Sequence, residues 1–104
     1  MAQALGEELK PYHVASDLLA EVMKQYDMGG NLIGDKANTV IFDNTKVKRA
    51  VPGFVCTTRF DQGARMAVEH ILAHPELQQE DPEFDACCDR VIAALEAAKK
   101  SLLS

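Results

Sequence analysis

The chain has 104 residues, 47% hydrophobic and 26% charged, which suits one globular domain spanning 1–104 and excludes a disordered tail. Its net charge of −5 argues against nucleic acid as a partner, because neutralising phosphates needs a basic surface. No apolar run approaches the ~18 residues that cross a bilayer, and three unpatterned cysteines, Cys56, Cys87 and Cys88, do not make a disulfide framework, so a cytoplasmic protein without membrane contact is expected.

Residues 1–5 followed by Gly6 read as the last turns of a helix with its terminating glycine. A domain seldom opens that way, which implies that earlier turns lie outside these residues. Pro11-Tyr12-His13-Val14 starts with proline and continues with aromatic and β-branched side chains, the pattern of an edge strand. Ser16 then stands where a helix cap is needed. Leu18, Leu19, Val22 and Met23 follow at helical spacing up to Tyr26, and Gly29-Gly30 ends the run. Residues 29–38 read as a polar loop. Thr39-Val40-Ile41-Phe42 reads as a buried strand, after which Asp43 or Asn44 caps a short helix carrying Val47, Ala50 and Val51 up to Pro52-Gly53.

Thr58-Arg59-Phe60-Asp61 fits the Ser/Thr-x-x-Asp/Glu start signal, and Phe60, Ala64, Val68, Ile71 and Leu72 then share one helical face until Pro75. Asp81-Pro82-Glu83 sets a cap, a first-turn proline and an acidic side chain in succession. Phe84, Cys88, Val91, Leu95, Ala98 and Leu102 follow at alternating spacings of four and three, the clearest amphipathic helix in the chain. Cys88 lies on that seam and Cys87 flanks it. The expected fold is α+β and mainly helical, with four to five helices and two or three short strands.

Charge is unevenly spread: −4 over residues 1–35, +4 over residues 36–65 and −5 over residues 66–104. The positive middle is either a solvated face or a site for an anionic or phosphorylated small molecule. Gly29 and Gly34 have the gap of a phosphate loop, but Asp35 stands where its lysine must be and Ala37 lacks the hydroxyl that would hold magnesium. The Gly-x-Gly-x-x-Gly pattern of dinucleotide sites is absent. His70 and His74 share a helical face, yet Ile71-Leu72-Ala73 between them has no glutamate, and Cys87 and Cys88 point about 100° apart on a helix; no metal is assigned. A nucleophilic Cys56 would need His13, His70 or His74 as its base, and spacing selects none of the three. The carboxylates from Glu80 to Asp85 suit a helix start without acid/base chemistry.

Gly34-Asp35-Lys36-Ala37-Asn38, then Phe42-Asp43-Asn44-Thr45-Lys46-Val47-Lys48-Arg49, Val51-Pro52-Gly53-Phe54 and Phe60-Asp61-Gln62-Gly63 form an ordered set. In this order they resemble the C-terminal substrate lobe of extended short-chain dehydrogenases, the NAD-dependent epimerase/dehydratase family. Ala4-Leu5-Gly6 and Tyr12-His13-Val14-Ala15-Ser16-Asp17 extend the likeness to about residues 2–75. The resemblance implies a lobe that orients a nucleotide-sugar-like or similar anionic substrate beside an N-terminal Rossmann lobe that carries NAD. The glycine-rich cofactor turn and the Tyr-x-x-x-Lys pair of that other lobe do not occur here: Tyr12 is followed four residues on by Ser16, and Tyr26 by Gly30. It therefore implies a substrate-lobe fragment that binds no cofactor by itself and holds no catalytic residue.

Sugar-nucleotide members have an arginine shortly before the Gly-Asp, where this chain has Asn31 and Leu32, so substrate contact passes to Lys36, Asn38 and Arg59, in the loops at 34–38 and 57–59. Asp43, Lys46 and Gly63 match motif positions that fix local geometry by capping and pairing. The alternative, from a different class, is a stand-alone helical interaction module that self-associates through residues 84–102.

Overall fold

The clearest sequence signal has the clearest outcome. In the computed structural model, which describes residues 1–104, Asp81 Oδ1 accepts a hydrogen bond from the Phe84 amide at 3.0 Å. Pro82 takes the first helical position, and helix α5 runs Pro82–Leu103. A side-chain acceptor and a proline together supply what a helix start lacks, since its first amides have no partner within the helix. The other α-helices are α1 (Ala2–Leu5), α2 (Ser16–Val22), α3 (Thr45–Ala50) and α4 (Phe60–Ala73). Altogether 65% of the residues are helical and no strand forms.

Contacts gather the chain into two units. The first consists of Met1–Lys10 and Val40–Gln79 and contains α1, α3 and α4. Gly6 ends α1 in the left-handed region at φ 71°, the glycine termination expected of residues 1–6. α1 packs on α4, and Val68 on α4 is the buried residue of this unit. The start of α4 lies one residue later than the Thr58 signal suggests. Arg59 is its N-cap, and the Gln62 side-chain oxygen accepts from the Arg59 amide at 3.0 Å, the returning half of a capping box. Phe60, expected on the buried face, is 86% exposed. At the other end Gln78 Nε2 donates to the Ile71 carbonyl at 3.0 Å, meeting one of the orphan acceptors that precede Pro75.

The second unit consists of Pro11–Thr39 and Glu80–Ser104. α2 begins at Ser16 with Ala15, not Ser16, as its cap residue. It stops at Val22 and passes into a 3-10 turn, Lys24–Tyr26, closed by Asp27 at φ 51°. Residues 29–38 are not the expected loop: Gly29–Lys36 form a π-helix that packs on α2. A Cβ at Gly29 would meet that of Ala20 at 3.6 Å, an ordinary contact. The core is Met23 and Cys87, at 2% and 5% exposure. Beside it the Tyr26 and Phe84 rings meet edge to face at 4.9 Å. Cys87 is the most buried residue of α5, although the spacing puts it beside the seam, while Phe84, Cys88, Val91 and Leu95 of the expected seam are half-buried and Leu102 at its end is exposed.

The two expected strands are absent. Residues 11–14 and 39–42 have strand-forming side chains but no ladder partner, and a strand exists only as one member of a pair. Val40, Ile41 and Phe42, expected to be buried, are 62%, 91% and 84% exposed. The α+β expectation reduces to a mainly helical fold.

Candidate functional site

Lys36 closes the π-helix. Its Nζ lies 3.4 Å from Asn31 Oδ1 and 3.8 Å from Asp35 Oδ2, with both charged side chains mostly exposed. Asn31 in turn donates from Nδ2 to the Asp27 carbonyl at 3.1 Å, so the amine is tethered to the turn at Asp27. Exposed pairs of this kind contribute about 0–1 kcal/mol. Asn38 follows in a bend, exposed, with both functions of its amide free. These two candidates belong to the second unit.

Arg59, the third, belongs to the first unit. Its Nε approaches Asp61 Oδ1 at 3.2 Å, again between exposed side chains. The guanidinium stands at the head of a 14-residue helix, where unpaired amides and the helix dipole favour negative charge. Asp43 is committed to structure: one carboxylate oxygen accepts from the Thr45 amide at 2.9 Å and from its hydroxyl at 2.6 Å. Those bonds hold its pKa below the ordinary aspartate value. Lys46, in the first turn of α3, makes no ion pair. At Gly63 an added Cβ would meet only Thr58 Cγ2, at 3.8 Å, an ordinary contact, so no close approach demands glycine there.

The histidines form a pair without further donors. Their rings lie 4.1 Å apart, and His74 Nδ1 lies 2.6 Å from the His70 carbonyl oxygen. No group of three His, Cys, Asp or Glu side chains is placed to hold a metal ion.

The second unit also holds an apolar cleft of about 190 Å³ between Tyr12, Leu19, Met23, Phe84, Cys88 and Ile92, which spacing along one helix does not reveal. Tyr12 reaches from the neighbourhood of its rim to α5, its hydroxyl donating to Glu96 Oε1 at 2.8 Å. Desolvation, with help from neighbouring acidic groups, pushes the Cys88 thiol above its ordinary pKa, which makes it a poor nucleophile at neutral pH. The only legible signal for this cleft was the pairing of two apolar helical faces, at Leu19-Met23 and at Phe84-Cys88. Compared with known protein families, curated proteins and solved structures, the chain matches none.

Proposed function

We propose that the chain is the substrate lobe of an NAD-dependent epimerase/dehydratase-type enzyme, orienting a nucleotide-sugar-like or similar anionic substrate beside a separate Rossmann lobe. The observation that carries this reading is an accessible surface of 9148 Å². A folded monomer of 11.4 kDa exposes about 5,800 Å², and two independent halves of it together about 7,000 Å². So much surface suits polypeptide that packs on more polypeptide, and the resemblance carried by the ordered motifs from Gly34 to Gly63 supports a Rossmann lobe as that neighbour.

In this reading the second unit offers an anionic substrate the cationic Lys36 and the neutral Asn38, and the first unit separately offers it Arg59. Asp43 serves the fold of α3 through its bonds to Thr45. On the same reading NAD sits on the Rossmann lobe, and Gly29, Gly30 and Gly34 of this chain lie inside a π-helix. The hydride step therefore lies outside what these residues do, and orientation is their contribution.

An NMR titration of the purified chain with a nucleoside diphosphate sugar tests this. Amide shifts at Lys36, Asn38 and Arg59 are expected, with millimolar affinity and a roughly tenfold loss in Lys36→Ala or Arg59→Ala, and none with NAD. Turnover by the chain alone, tight NAD binding, or silence at about 10 mM sugar nucleotide overturns it. Reading the coding DNA upstream in frame, for a glycine-rich turn and a Tyr-x-x-x-Lys, is the quicker check.

A second reading has its own observation: Leu102 and Leu103 are 86% and 78% exposed at the end of α5. A helical module that dimerises through residues 84–102 would give a defined dimer by light scattering, broken by Leu95→Lys.

A further inference from the structure

Three consecutive strand-forming side chains, Val40, Ile41 and Phe42, stand in solvent. None of residues 39–43 makes a main-chain hydrogen bond within the protein, although every such donor and acceptor takes a partner once water is excluded. The stretch is anchored at one end only: Asp43 is bonded to Thr45, and Asn44 Nδ2 donates to Cys56 Sγ at 3.7 Å. That last bond brings the end of a second exposed apolar stretch, Phe54-Val55, to the same place in the first unit.

We propose that residues 40–43 are a docking strand that adds by main-chain pairing to an open β-sheet edge of another polypeptide lobe, one whose edge strand is flanked by carboxylates. Two features select this occupant. Free amides and carbonyls in a β-branched and aromatic run match a sheet edge, which presents the same groups in the same repeat. A helix or an apolar groove would bury Ile41 and Phe42 but leave those main-chain groups unpaired. Charge then selects the edge: Lys46, Lys48 and Arg49 follow on α3, and none of the three is in an ion pair within the chain. A second copy paired in parallel through the same stretch would bring two sets of these cations together, and one paired antiparallel would leave both sets unneutralised, whereas a carboxylate-flanked strand neutralises them. The proposal holds whatever the substrate is, so it stands or falls apart from the sugar-nucleotide titration.

The probe is an alternating Val/Thr octapeptide with glutamates at both ends, compared with the same peptide carrying lysines. At about 1 mM the glutamate peptide is expected to move the carbonyl and Cα shifts of residues 40–42 to extended values. It should slow exchange of alternate amides there about tenfold and bind at least about tenfold more tightly than the lysine peptide. Successive amides point to opposite sides of a strand, so Ile41→Pro and Phe42→Pro test its two edges. One of them abolishes the effect while the helical far-UV signal is unchanged. The proposal is overturned if neither peptide shifts these residues, if the two bind equally, if both proline variants still bind, or if the same shifts arise from raising the protein concentration alone.

Discussion

Asp43 accepts two hydrogen bonds from one neighbour, and both favour its charged form. Its folded pKa is below its unfolded one, so its contribution to stability is complete above the free aspartate value, about 3.9. That contribution fades as pH falls through the lowered folded value. A carboxyl-carbon titration should find that midpoint below free aspartate, and Asp43→Ala should reduce the helical shifts of Thr45–Ala50, while Asp43→Asn, which keeps an acceptor oxygen, reduces them less. Tyr12 has the opposite sign. Its hydroxyl donates to Glu96, which raises its pKa, so the contact stabilises below the ordinary tyrosine value near 10 and is lost as pH rises through the higher folded one. Glu96→Gln should return Tyr12 towards the ordinary value in an ultraviolet titration. Tyr26 should stay raised, because burial leads its shift and the acidic groups beside it are Asp81 and Glu83.

At the scale of elements, Met23 is the hinge of the second unit, where α2 ends and the 3-10 turn begins. With 2% exposure, Met23→Ala opens a cavity worth about 2–5 kcal/mol, whereas Met23→Leu keeps the volume and costs less than about 1.5 kcal/mol. Urea unfolding measures both, and equal costs would mean that the site is not packed. The same elements show which kind of physics a sequence displays. α4 and α5 were legible because helices announce themselves locally, through spacing at three and four and through caps such as Asp81. Residues 11–14 and 39–42 were misread because a strand needs a partner that the local sequence cannot supply. The π-helix at Gly29–Lys36 was missed because three glycines signal a loop, and only packing on α2 makes them helical. Cys87 was placed off the seam because the centre of a helix face is set by what packs on it. At the candidate site, the family resemblance points to Lys36 and Arg59, and both are exposed cations. The cleft beside Tyr12 needed two helical faces brought together, which spacing along either one does not encode.

For the whole molecule the deciding quantity is area. An unfolded chain of 11.4 kDa exposes about 16,500 Å², so folding to 9148 Å² removes about 7,400 Å² from water. Two independent units of half this mass together remove about 9,500 Å². The urea m-value follows the area exposed on unfolding and should therefore be about 0.8 of the value usual for two such units. Apolar side chains such as Ile41, Phe60 and Leu102, left in solvent, should bind a hydrophobic dye such as anilinonaphthalene sulfonate in the native state. A lobe that covers them stabilises the chain by mass action, by about 2.7 kcal/mol at a hundredfold excess over its Kd, and should abolish the dye signal as it raises the m-value of the complex. An m-value of full size for the chain alone, with no dye bound, would mean that these residues close upon themselves in solution and that no second lobe is needed.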